Sequence, residues 1–168
     1  MKILRFLGYT VLGLVLAIGL LLFAARFADG PIEIIAGGPF TSGEQYAGPE
    51  PDWGFVRNRT TVEFQLENPA RSRTTWIIEH QGKIYIPCGY MTTTWGKIWK
   101  KWPIEAEKDG RAILRVDGKL YSRQLRRIKD GPVVGPIVKL LSEKYNVPAS
   151  VEAVGSDYLW LFEMAPEA

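Results

Sequence analysis

The run R-A-I-L-R-V-D-G-K-L-Y-S-R-Q-L-R-R-I, residues 111–128, decides the fold. At its centre stands Asp117-Gly118, a pair suited to a two-residue hairpin because both central positions of that turn require positive φ. The flanks are rich in residues that suit a pleated, half-buried surface. They predict two antiparallel strands, 111–116 and 119–128. Along the second, Tyr121, Arg123 and Leu125 share one face, and Ser122, Gln124 and Arg126 the other.

The same logic extends upstream. Val62, Phe64 and Leu66 alternate with Glu63, Gln65 and Glu67, the pattern of a half-buried strand. Asn68-Pro69 ends it, and residues 74–79 (T-T-W-I-I-E) begin a second. His80-Gln81-Gly82 turns the chain into a third, 83–87 (K-I-Y-I-P). Downstream, Ile137, Val138, Leu140, Leu141 and Tyr145 recur at helical spacing within 131–146, with Pro136 in the first turn and Asn146 and Pro148 as the stop. Residues 158–164 (Y-L-W-L-F-E-M) are almost wholly apolar, as expected of a last strand buried on both faces. Six strands with short turns and a single intervening helix favour a closed or partly open antiparallel barrel over a parallel α/β sheet.

Residues 6–25 form a twenty-residue apolar stretch, the length a helix needs to cross hydrocarbon. A cleaved signal peptide has a shorter apolar core and a small-x-small site, whereas here Arg26 or Phe23 would fall three residues before the cut. An uncleaved anchor is expected. Lys2 and Arg5 precede it, which places the N-terminus in the cytoplasm and the soluble domain on the outer, periplasmic or extracellular, side. The expected organisation is an anchor over 1–28, a Gly/Pro-rich lead-in over 29–58, and a barrel domain over 59–168. In the lead-in, Ala36-Gly37-Gly38-Pro39 lacks the residue order of a phosphate loop. Ile32, Ile34, Ile35 and Phe40 are apolar enough to dock on the domain or the membrane surface.

Beyond residue 29 the chain is close to neutral, with 18 Lys or Arg against 17 Asp or Glu. Its charge is unevenly placed: residues 97–129 hold 11 basic groups and 4 acidic ones. A positive region of this kind concentrates anionic ligands. At its start lies W-G-K-I-W-K-K-W, residues 95–102, where three lysines offer point charges for phosphate and three tryptophans offer faces for a planar ring. Three readings stand: a ligand site, core aromatics beside solvated lysines, or a contact with lipid headgroups. Arg123 would add a forked donor if it lay beside Lys100 and Lys101. The near-neutral, tethered domain argues against nucleic acid as a partner. Cys88 and His80 are each the sole residue of their type, which excludes an internal disulfide and a multi-histidine or cysteine-rich metal site. His80 is expected in a turn.

Residues 74–87 (T-T-W-I-I-E-H-Q-G-K-I-Y-I-P) and 100–121 (K-K-W-P-I-E-A-E-K-D-G-R-A-I-L-R-V-D-G-K-L-Y) together resemble the split β-barrel flavin-binding superfamily, which includes pyridoxamine-phosphate oxidase-like proteins and deazaflavin-dependent reductases. The resemblance implies a mainly β fold: a six-stranded antiparallel split β-barrel with one or two short helices, here preceded by a transmembrane helix. It implies a phosphorylated flavin-type cofactor, FMN or deazaflavin, with Arg73, Thr74 and Thr75 near the flavin ring and ribityl phosphate, and Lys97, Lys100, Lys101 and Trp102 in the phosphate-binding connection. It further implies an oxidoreductase and pairing into a homodimer. No catalytic acid or base is assigned. The alternative is a non-enzymatic accessory or partner-binding membrane protein whose barrel has lost its cofactor.

Overall fold

A computed structural model describes residues 2–167. Helix α1 (Lys2–Ala24) is followed by a 3-10 turn, Ala25–Phe27, a short strand β1 (Glu44–Gln45), and a second 3-10 segment, Trp53–Asn58. Next come β2 (Val62–Glu67), β3 (Ala70–Thr75), β4 (Ile78–His80) and β5 (Lys83–Cys88). Helices α2 (Thr94–Trp99) and α3 (Trp102–Lys108) lead to β6 (Arg111–Val116) and β7 (Lys119–Ile128). Helices α4 (Val134–Tyr145) and α5 (Val151–Gly155) precede the last strand, β8 (Trp160–Pro166).

The strands form one curled sheet in the order β3-β2-β6-β7-β8-β5-β4, with β1 added in parallel to β7. Every other pairing is antiparallel. The mainly β, split-barrel expectation holds, with a finer strand count of eight. The two additional strands have a simple origin. The expected second strand starts earlier, at Ala70, and breaks at Trp76-Ile77, so one stretch of chain pairs with β2 before the break and with β5 after it. The other is β1, a piece of the lead-in.

The break is where the barrel turns its corner. Ile77 is fully buried, and its N–H and C=O have left the ladder. The C-terminus of α4 satisfies both. The Ile77 N–H donates to the Tyr145 hydroxyl at 2.9 Å, and Lys144 Nζ donates to the Ile77 carbonyl at 2.8 Å. The Tyr145 ring stacks on Trp76 with centroids 4.4 Å apart. Burial lowers the Lys144 pKa from its ordinary value, yet its ammonium still caps this carbonyl.

The hairpin over 111–128 forms in the expected register, Val116 opposite Lys119, with Asp117 at φ 52° and Gly118 at 73°. Gln81-Gly82 makes the same kind of turn between β4 and β5. Strand β8 is buried on both faces because two apolar clusters lie on either side of the sheet. Phe162 and Met164 join Phe64, Leu114 and Trp53 inside the barrel, whereas Leu161 packs outward against Ile137, Val138 and Leu141 of α4. Besides α4, three short helices follow α1. The connection over 88–109 contains α2 and α3, and Trp102, Pro103 and Ala106 of α3 are buried.

The lead-in is part of the barrel. The Asp29 carboxylate accepts from the backbone of Thr41 at 2.7 Å and from Arg115 Nη1 at 2.9 Å. Its hydrogen bonds to Ser42 and Thr41 hold its pKa well below the usual carboxylate range. The Gly37 N–H donates to the Ser72 carbonyl, and Arg71 donates to the carbonyls of Ala36 and Gly37. This covers the free edge of β3. Glycine is required here by crowding: a Cβ at Gly37 would lie 1.7 Å from the Gly30 carbonyl oxygen, and one at Gly38 2.5 Å from that of Arg26. Further on, Trp53 is fully buried within the barrel. Arg123 points inward beneath it, its guanidinium 4.7 Å from the Trp53 ring and its Nη1 2.8 and 2.9 Å from the two oxygens of Glu50. Arg123 is therefore a core ion-pair residue held by the lead-in and does not join Lys100 and Lys101.

Helix α1 has 23 residues, none of them buried. At 1.5 Å per residue it measures roughly 35 Å, against about 30 Å of bilayer hydrocarbon. It is long and apolar enough to cross a membrane.

Replacing Tyr145 with Phe keeps the ring stack and removes the partner of the buried Ile77 N–H. Leaving such a group unsatisfied costs about 1–3 kcal/mol. Tyr145→Phe is expected to lower the unfolding free energy of the full chain in detergent by that amount, read as a lower denaturant midpoint at unchanged m by tryptophan fluorescence.

Candidate functional site

The pairing between β4 and β5 runs from His80 opposite Lys83 to Ile78 opposite Tyr85 and then stops. Continued one way along the chain, it would set Trp76 opposite Pro87 and Thr74 opposite Gly89. Instead β3 turns away to β2, and Pro87 removes a ladder donor. The two segments diverge, and a cleft of about 950 Å³ opens between them. This is within the range of small-molecule sites.

Arg71, Arg73 and Thr75 share one face of β3, and all three line the cleft, as does Thr74. The opposite side is built by Pro87, Cys88 and Gly89 and by the connection beyond them, including Tyr90, Trp99, Lys100, Lys101, Trp102 and Glu105. Six of the seven residues singled out in the sequence thus border one space: Arg73, Thr74, Thr75, Lys100, Lys101 and Trp102. Lys97 does not; it projects from α2 into solvent. Trp102 contributes mainly from below. It is only 8% exposed and packs against Phe64 and Phe162 at ring separations of 5.0 and 5.2 Å. Trp95 and Trp99 are exposed, so the three tryptophans have separate roles.

Two cationic members were missed. Arg71 lies outside the strand as read from the sequence, although the R-S-R spacing of residues 71–73 would place both arginines on one face. Arg26, in the 3-10 turn after α1, marks in sequence only where the apolar stretch ends. The cleft therefore holds Arg26, Arg71, Arg73, Lys100 and Lys101 against one carboxylate, Glu105.

The internal partners of these cations leave most of the charge uncompensated. Arg71 donates to two neutral carbonyls, at 2.7 and 2.6 Å. Lys100 Nζ donates to the Gly89 carbonyl at 2.8 Å and stands 5.2 Å from the centre of the Tyr90 ring. Arg73 donates to the Arg71 carbonyl at 3.1 Å and reaches Glu105 only at 3.4 Å, a loose pairing. Burial lowers the arginine pKa at both 71 and 73. Like-charge repulsion from Arg26 adds to this at Arg71, and Glu105 partly offsets it at Arg73. Both guanidiniums stay charged.

The rim is locally strained. Tyr90 sits at φ 64°, in the left-handed region that bulky side chains avoid. Its carbonyl accepts from the Thr93 hydroxyl at 2.8 Å, and that hydroxyl accepts from the Gly96 N–H at 3.0 Å, capping α2. A Cβ at position 96 would lie 1.8 Å from the same carbonyl oxygen. His80 closes β4 away from the cleft. Among the described residues no cluster of His, Cys, Asp and Glu could hold a metal ion.

No protein-family model matches the chain, and no curated protein is significantly similar to it. Among solved structures, its fold is similar to that of the conserved hypothetical protein Rv2991 from Mycobacterium tuberculosis, at 11% identity and a TM-score of 0.47, over 68% of this chain and 77% of that one. It is also similar to the Listeria innocua protein named "Putative Pyridoxamine 5'-phosphate oxidase", at 11% identity and a TM-score of 0.46, over 67% of this chain and 88% of that one. Likeness at this level concerns the course of the backbone and not the residues of the cleft.

Cys88 lines the cleft from a buried position, its thiol donating to Met91 Sδ at 3.7 Å. Burial pushes the thiol up to about 11, outweighing the nearby charges of Lys100 and Arg73. It is no nucleophile at neutral pH. At pH 8 roughly one molecule in a thousand carries the thiolate, against about a quarter for an ordinary cysteine. A thiol reagent at pH 8 should label the folded chain at least ~100-fold more slowly than the unfolded chain. Equal rates would show the thiol to be ionised and accessible.

Proposed function

We propose that this is a membrane-anchored split-barrel protein that binds a phosphorylated, flavin-type cofactor, FMN or deazaflavin, in the cleft between β3 and the β5–α3 connection, and serves as an oxidoreductase. One observation carries this reading: five cations and a single carboxylate converge on a cleft that also presents two threonine hydroxyls and the rings of Trp76, Tyr90 and Trp99. A dianionic phosphate and a planar ring need these two kinds of partner.

The residues present fit such a group. Lys101 is exposed, and the guanidiniums of Arg71 and Arg73 are anchored on carbonyls. They would receive the phosphate, with Thr74 and Thr75 supplying hydroxyl donors. The aromatic rim would exclude water from the ring. Bound there, the cofactor supplies the hydride chemistry, and the protein supplies position and charge. Lys2 and Arg5, at the start of α1 and ahead of its apolar stretch, support an orientation with the barrel on the outer side of the membrane.

One observation favours the alternative, a partner-binding barrel without a cofactor. Glu105 is a built-in anion, already within 3.4 Å of Arg73. The two readings differ in a titration. Full-length protein in detergent, given FMN or a deazaflavin, should perturb the ligand's absorbance and gain thermal stability. Lys101→Ala should weaken binding about tenfold, the loss of one charge-assisted contact. Glu105→Gln should tighten it severalfold by removing the competing carboxylate. No spectral change and no stabilisation at saturating ligand would reject the cofactor and leave the accessory reading.

A further inference from the structure

Helix α2 carries Trp95, Ile98 and Trp99 at positions i, i+3 and i+4, which places all three on one face. They are 81%, 60% and 70% exposed, and the only buried residue of the helix is Gly96. An apolar, aromatic face that contributes so little to the packing of its own domain marks a contact with something else.

Two observations indicate what covers it. Ile98 and Trp99 border the same cleft as Leu22 and Arg26. Leu22 is in the last turn of the apolar helix α1, and Arg26 is the first charge beyond it, so α2 lies at the depth where the span leaves hydrocarbon. The charges around α2 are also mostly of one sign. Residues 88–105 include Lys97, Lys100 and Lys101 against a single carboxylate, Glu105. Tryptophan and lysine are the residues favoured at a headgroup layer, and lysine is drawn to anionic lipid. Across the cleft, Ile34 is 91% exposed and extends the apolar surface.

We propose that Trp95, Ile98 and Trp99 enter the headgroup region of an anionic leaflet, forming a second bilayer contact that holds the mouth of the cleft against the membrane. The contact rests on α1 spanning the bilayer and does not require the cleft to be occupied. One span alone leaves a domain free to rotate about its neck. A second contact fixes which side of the barrel faces lipid, and that side is the one with the cleft. Molecules would then enter along the membrane surface.

The sequence makes this testable, because α1 contains no tryptophan. Lipid-dependent tryptophan quenching in the full chain therefore reports on the barrel domain alone. The chain would be reconstituted, one copy per nanodisc, in phosphatidylcholine and phosphatidylglycerol, with part of the former carrying a nitroxide just beneath its headgroup. Wild type should be quenched, and Trp95→Phe with Trp99→Phe should remove at least roughly half of that quenching. Both side chains are exposed, so the double variant should unfold at the same temperature. Raising the salt to about 0.5 M, or omitting the anionic lipid, should reduce the quenching roughly twofold, since both act on the lysine term. Absent quenching in wild type, or equal quenching in the double variant, overturns the proposal. So does a chain that pairs through α2 in solution and shows no lipid quenching, which would make a second copy the occupant. A chain that fails to elute with the nanodisc at all overturns the anchor and this contact together.

Discussion

The backbone of Ile77 has left one ladder without entering the next, and the barrel depends on how its two polar groups are satisfied. A buried amide without a partner costs about as much as a sizeable fraction of a domain's net stability. Tyr145 and Lys144 remove that cost, at 2.9 and 2.8 Å. Once the corner is affordable, a single stretch of chain can pair with β2 on one side and β5 on the other. Curling the sheet in this way brings Phe64, Leu114 and Phe162 together inside. It also explains why α4 is needed, since its C-terminal turn supplies both caps.

The same corner creates the cleft. If β3 had stayed beside β5, its outer edge would have been consumed by hydrogen bonds and Arg71 and Arg73 would have flanked a closed ladder. Divergence leaves room, and the lead-in covers the edge of β3 by bonding Gly37 and Gly38 to Ser72. Those bonds leave charge unspent. Carbonyls take up guanidinium and ammonium hydrogens without cancelling their charge, so Arg71 and Lys100 are positioned and still positive. Glu105 is the exception. The barrel interior shows the opposite solution, where buried Arg123 is matched directly by the carboxylate of Glu50.

The junction between α1 and the sheet ties these features together. The end of α1 borders the cleft through Leu22 and Arg26, and the carboxylate of Asp29 fastens the neck to Arg115 of β6. A short, bonded neck limits how far the barrel can move from the end of α1. Helix α2, capped by Thr93 and crowded at Gly96 against the Tyr90 carbonyl, holds its aromatic face away from the barrel. Each of these is a local backbone requirement whose consequence is where a surface points.

Much of the fold was legible along the chain because period-two patterns and D-G and Q-G turns act over a few residues. The hairpin over 111–128, the alternation from Val62 to Leu66, the helix ending at Asn146 and the doubly buried β8 all follow from local chemistry. The apolar helix at the N-terminus is equally a property of sequence. What tertiary structure decided were relations between distant residues. The break at Trp76-Ile77 depends on Tyr145, nearly seventy positions away, and no pattern near residue 76 announces it. Arg123 reads like any strand arginine until Glu50 and Trp53 fold over it. Lys97 and Lys100 are three residues apart, yet only Lys100 borders the cleft, because α2 ends at Trp99 and the backbone at Lys100, its C-cap, has left the helical conformation. Sequence spacing sets which residues share an element and a face; which faces meet is set by packing and by where the backbone's remaining hydrogen bonds can be satisfied.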